Sequence, residues 1–129
     1  MSFTFTVDHA RHWVVARAAG SIALDDIRNH LEEERAALGL PYSELIDARG
    51  YVPAFSASDV RMIIADLRRL AGSSRLGPTA VLVDSDVGYG MIRMLEILLE
   101  DVCAVRPFRR QEEAEQWLND ASSNPKPTT

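Results

Sequence analysis

The run Thr79-Ala80-Val81-Leu82-Val83 constrains the fold more than any other stretch of the chain. A continuous β-forming run without polar alternation describes a strand covered on both faces. Such a strand belongs in the middle of a sheet, and its covering layers must come from the flanking sequence. Those flanks have helical period. Before the run, Val60, Ile63, Ile64, Leu67, Leu70 and Ala71 recur at three and four residues, with Arg61, Arg68 and Arg69 off the stripe. This predicts a helix over about 57–71. After the run, Met91, Ile92, Leu95, Leu98 and Leu99 predict another over about 88–101. Strands alternating with helices imply a mostly parallel sheet.

The remaining segments extend this pattern. Phe3-Thr4-Phe5-Thr6-Val7 alternates as a half-buried strand does, and residues 8–11 can turn the chain into a hairpin partner from His12 to Ala19, ended by Gly20. A helix then runs from Ser21 or Ala23 to about Leu38, with Gly39 as its stop. Glu44-Leu45-Ile46-Asp47 reads as a third strand, followed by a loop from Ala48 to Phe55. Gly72 stops the second helix, Val102 to Val105 reads as a strand limited by Pro107, and Glu112 to Asn119 as a last helix carrying Ala114, Trp117 and Leu118. The expected fold class is α/β in the order β-β-α-β-α-β-α-β-α, a mostly parallel sheet with an antiparallel N-terminal hairpin at its edge.

A chain of 129 residues has room for one such core. Residues 1–119 are expected to form a single domain, and 120–129, rich in Ser, Pro and Thr, a disordered tail. The net charge of −5 argues against nucleic acid as a partner, because phosphate binding needs a basic surface. Arg106, Arg109 and Arg110 form a dense basic cluster, but Glu112, Glu113 and Glu115 follow at once, which describes a solvated face. The single cysteine, Cys103, excludes an internal disulfide and a cysteine-rich metal site. No leader pattern or bilayer-length apolar run is present, so a cytoplasmic location without membrane insertion is expected.

Candidate chemistry gathers after the strands, where ligands of α/β folds collect. Asp47, Asp84 and Asp86 stand at or just beyond the carboxyl ends of neighbouring strands. They could converge on magnesium, although caps account for strand-end acids more simply, so no metal and no cofactor are expected. Ser56 with Asp59 has capping-box spacing at the start of the second helix. Gly88-Tyr89-Gly90 opens the third helix but lacks the rest of a dinucleotide or P-loop fingerprint. His9, His12 and His30 have no metal-ligand spacing, and no nucleophile elbow surrounds a serine. On the third helix, Met94 lies at the edge of the core stripe and Ile97 well off it, which marks a candidate subunit or partner contact. An apolar pocket between that helix and Tyr51, Phe55 and Met62, with Tyr89, is the alternative.

The stretch from Asp84 to Glu96, and the ending Val105-Arg106-Pro107-Phe108-Arg109 followed by Ala114, Trp117 and Leu118, resemble the SpoIIAA-like, or STAS-like, group of small uncharacterised bacterial proteins. The element order, with a capped helix after the third strand, resembles the wider STAS family, which includes anti-sigma-factor antagonists and cytosolic domains of sulfate transporters. In the antagonists an Asp-Ser-Ser-Gly motif carries a serine phosphorylated by a partner kinase. The matching place is Phe55-Ser56-Ala57-Ser58, where the aspartate and glycine are missing and Ser56 takes the modified position. The resemblance implies a non-enzymatic regulatory or protein-interaction module, binding a protein partner or itself, with Ser56 or Ser58 as a phospho-switch. The alternative is a domain for a small, lipid-like apolar ligand.

Overall fold

The first two strands form an antiparallel hairpin. β1 (Ser2–Asp8) pairs with β2 (Trp13–Ile22), from Ser2 opposite Ala19 to Asp8 opposite Trp13. The chain continues through α1 (Leu24–Leu38), β3 (Ser43–Asp47), β4 (Tyr51–Pro53), α2 (Ala57–Ala71), β5 (Thr79–Leu82), α3 (Asp86–Leu98), β6 (Val105–Phe108) and α4 (Gln111–Ser123). The computed structural model describes residues 2–38, 42–53, 56–71 and 76–123. The sheet order is β1-β2-β3-β5-β6, with β2, β3, β5 and β6 parallel. This is the expected α/β class, with one strand more than the sequence suggested.

β5 lies between β3 and β6, and its residues explain its unbroken apolar run. Ala80 and Leu82 pack with Trp13 and Leu45 beneath Ala114 and Leu118 of α4. Val81 and the following Val83 point to the opposite face, where Ile27 of α1, Ile64 and Leu67 of α2 and Ile92 of α3 join them. The two layers are thus one helix on one face and three on the other. Buried polar pairs fasten the larger layer. His30 on α1 and Glu44 on β3, both buried, are joined by a 2.8 Å hydrogen bond between Nε2 and Oε2. The buried Asp66 of α2 accepts from Arg28 Nε of α1 at 2.6 Å and faces Arg69 at 3.3 Å. Removing one member of such a pair would strand the other in a low-dielectric interior.

Four expected boundaries move, each for a local reason. β2 does not end at Gly20. Gly20 takes a φ of 76°, and the strand continues to Ile22 because β4 pairs with its far end, Gly20 opposite Tyr51 and Ile22 opposite Pro53. The Ala48–Phe55 segment is therefore partly strand. The last strand is Val105–Phe108, not Val102–Val105, so Cys103 precedes it. Val102 and Cys103 instead close a buried turn, both donating their N–H to the Leu99 carbonyl at 2.8 Å. Pro107 sits inside β6, where the Ala104 carbonyl accepts from the Thr79 N–H of β5 and the Phe108 carbonyl from the Val83 N–H just after it. Their alternation turns the nitrogen of Pro107 toward the open edge, where a missing N–H costs no ladder bond. Finally, α4 runs to Ser123, so residues 120–123 are helical rather than tail. Gly39 and Gly72 lie outside the described residues.

Candidate interaction site at the strand ends and third helix

Asp47 ends β3, and the chain turns at once. From Arg17 opposite Asp47 to Gly20 opposite Tyr51, β2 advances three residues while its partner advances four, which leaves one extra residue in the β3–β4 run. Gly50, at a φ of 84°, supplies the left-handed backbone that this turn requires. The turn brings Arg49 back onto Asp47. Its Nε and Nη2 donate to the two carboxylate oxygens at 2.9 and 2.8 Å, and its backbone N–H donates at 3.1 Å. Hydrogen bonding from the Arg49 side chain holds the Asp47 carboxyl below its ordinary value of 3.8, with partial burial opposing. The same bond raises the Arg49 guanidinium, and the charge of Asp84 adds to that shift.

Ser56 and Asp59 form a reciprocal cap at the start of α2. The Asp59 N–H donates to Ser56 Oγ at 3.2 Å, and the Ser56 N–H donates to Asp59 Oδ2 at 2.9 Å. Both Ser56 and Ser58 are exposed. At the start of α3, Ser85 is the cap, its Oγ accepting from the Gly88 N–H at 3.0 Å. A Cβ on Gly88 would lie 3.0 Å from that Oγ, so this glycine lets the helix seat against its cap. Asp86 projects into solvent and meets Arg109 at 2.7 Å, while Arg109 also lies 4.9 Å from the centre of the Tyr89 ring.

The strand-end acids are therefore not an acidic pocket. Asp47 and Asp86 each hold an arginine, Asp84 is exposed, and the rim is a mixed-charge surface. Among the described residues no three His, Cys, Asp or Glu side chains are grouped to hold a metal. The histidines lie elsewhere: His9 and His12 stand edge-on to Tyr42 near the amino end of β3, and His30 is buried with Glu44.

Of the apolar candidates, Met62, Met94 and Ile97 are exposed to 44%, 42% and 62%, and Tyr89 is half-buried against Arg109. Tyr51 belongs to β4, and Phe55 lies outside the described residues. Val87, at 72%, and Leu98, at 44%, join Met94 and Ile97 on the outer side of α3. The sequence pattern puts Leu98 in the core stripe and does not reach Val87, whereas both are exposed. A helical wheel extended one turn toward the N-terminus finds both, since 87, 94 and 98 share one side. Arg68 of α2 ties down the end of α3, donating to Asp101 Oδ2 at 2.5 Å and to the Leu98 carbonyl at 3.2 Å.

The arrangement of the chain as a whole matches known structures. A protein of the DUF3478 family with a SpoIIAA-like fold, from Shewanella loihica PV-4, superposes with a TM-score of 0.64 at 14% identity, over 91% of this chain and 92% of that one. The fold is SpoIIAA-like. The anti-sigma factor antagonist SpoIIAA in its unphosphorylated form also matches, at a TM-score of 0.50 and 15% identity, over 89% of this chain and 94% of that one. No protein-family model matches the sequence, and no curated protein matches it. The likeness is thus one of three-dimensional arrangement, as the resemblance read from the sequence implied. Among the described residues no helix is long and apolar enough to cross a membrane.

Proposed function

We propose that this SpoIIAA-like domain is a non-enzymatic regulatory module of the bacterial cytoplasm that works by binding a protein partner through the outer face of α3 and the adjoining rim. The observation that carries this reading is the outer side of α3 itself. Val87, Met94, Ile97 and Leu98 are all exposed by 42% or more. Soluble proteins keep such side chains scattered unless a partner covers them. The mixed-charge rim beside it, with Arg49, Asp84 and Arg109, has the composition of the polar border around an interface. The fold match to an anti-sigma factor antagonist agrees with this reading.

The test is affinity capture from an extract of the native host with three forms of the chain. The wild type and Gln116→Glu, changed on the outer side of α4, are expected to retain the same stoichiometric partner, and Ile97→Glu to lose it. Equal retention by all three would overturn the reading. Ser56 and Ser58 are the positions where phosphate would alter this surface. On Ser56 it would occupy the positive end of α2 but face the Asp59 carboxylate, weakening the cap. Ser56→Asp is expected to lower retention several-fold; unchanged retention would dismiss the switch.

A further inference from the structure

Gly90 is an exposed glycine in the interior of α3, and among the described residues a Cβ built on it meets nothing within 4 Å. Glycine weakens a helix relative to alanine. Gly88, two residues earlier, has a reason to be glycine in its approach to Ser85, and Gly90 has none among the described residues. Its neighbours on the outer side of the helix are Val87, Met94 and Ile97. The intervals 87–90–94–97 are three, four and three residues, a spacing that reads the same in either direction. Asp86, Arg93 and Glu96 lie to one flank, and no charged residue falls on the stripe itself.

We infer that this stripe is covered by a second copy of the chain, with the two α3 helices antiparallel across a two-fold axis that passes outside residue 92. This rests on the proposed reading of α3 as an interaction face and names its occupant. In that pairing Val87 meets Ile97 of the other copy, and Met94 fills the gap above Gly90, each contact occurring twice as an isologous interface requires. The absent Cβ lets the helices approach. Opposed helix dipoles favour the antiparallel arrangement. The exposed fractions of Val87, Met94, Ile97 and Leu98 correspond to on the order of 400 Å² of surface, most of it apolar side chain. That is about half of the ~800 Å² each partner gives to a standard interface, the apolar share such interfaces have.

Sedimentation equilibrium of the full chain, with covalent trapping, tests the inference. The wild type is expected to dimerise in the micromolar range, and Ile97→Glu to raise the dissociation constant at least about a hundredfold. Gly90→Leu should do the same while melting as a folded monomer, because position 90 is exposed and a Cβ there meets nothing within 4 Å among the described residues. Gly90→Ala separates the two roles of the site: it should raise the melting temperature of the dilute monomer yet weaken the dimer. A mixture of Val87→Cys and Ile97→Cys chains should give the mixed disulfide in excess over either homodimer. A wild type that stays monomeric at several hundred micromolar, or a dimer indifferent to both Ile97→Glu and Gly90→Leu, would overturn the inference. So would a Val87→Cys homodisulfide as the main product. If the wild type is monomeric while host partners are still lost with Ile97→Glu, only the identity of the occupant fails. If Ile97→Glu changes neither, the interaction reading of α3 falls with it.

Discussion

α3 and α4 are both thirteen residues long and both pack on the sheet, yet only one has the outer face of a surface helix. α4 buries Ala114 and Leu118 completely and turns Glu112, Glu113 and Gln116 to water, with Gln111 bonded to Glu115 and Gln116 to Asp120 across successive turns. α3 buries Gly88 and Ile92, and then exposes Val87, Met94, Ile97 and Leu98 on its other side. The inward faces answer the same demand, to cover a sheet. The outward faces are free of that demand, so their difference is where functional information resides.

The largest effect that sharpens this contrast belongs to α4. Leu118→Ala should cost about 3 kcal/mol, since it removes a fully buried side chain from a close-packed layer. Urea titration should show this loss while the association behaviour of α3, measured below the unfolding transition, stays unchanged. Ile97→Glu, compared with wild type as dilute monomers, should show the reverse, a change in stability within about 0.5 kcal/mol, and at higher concentration a loss of association. If Ile97→Glu unfolds the chain as Leu118→Ala does, the two faces of α3 are both core and the contrast breaks.

Smaller effects come from the ends of the elements. Ser85→Ala removes the cap of α3 and should cost about 1 kcal/mol by thermal or urea unfolding. Gly90→Ala should act with the opposite sign, adding up to about 1 kcal/mol to the isolated domain because the new methyl meets open space. The smallest concerns Asp47, whose carboxyl is held below 3.8 by Arg49. A group with a depressed folded value contributes stability that is present above the unfolded value and lost as pH falls through the folded one. The difference between wild type and Asp47→Asn should therefore be constant near neutrality and vanish as pH drops below 3.8. Its size should be at most about 1 kcal/mol, because Arg49 is exposed and screened. A difference that grows on acidification would contradict the pairing.

Elements governed by local periodicity were readable from sequence. The double-faced run at β5, the stripe of α2 and the Ala114–Leu118 pair of α4 stand where their patterns require. β4 was hidden because Tyr51-Val52-Pro53 carries loop chemistry and becomes a strand only beside the far end of β2. Val102 and Cys103 resemble a strand by composition but serve a turn, with Cys103 Sγ directed at the Gly77 carbonyl 3.2 Å away. In the candidate site, the spacing of Ser56 and Asp59 announced their cap, and the positions of Met94 and Ile97 announced their exposure. Contacts made through tertiary structure left no such sign. Arg28 and Asp66 are 38 residues apart, and the grip of Arg49 on Asp47 depends on the turn at Gly50.

The most direct measurement places a photo-crosslinking residue at position 97 or position 116 and irradiates living host cells. The account predicts a discrete protein adduct from position 97 on α3 and none from position 116 on α4. Adducts of equal yield from both positions, or none from position 97, would contradict the claim that the outer face of α3 is the surface this domain uses.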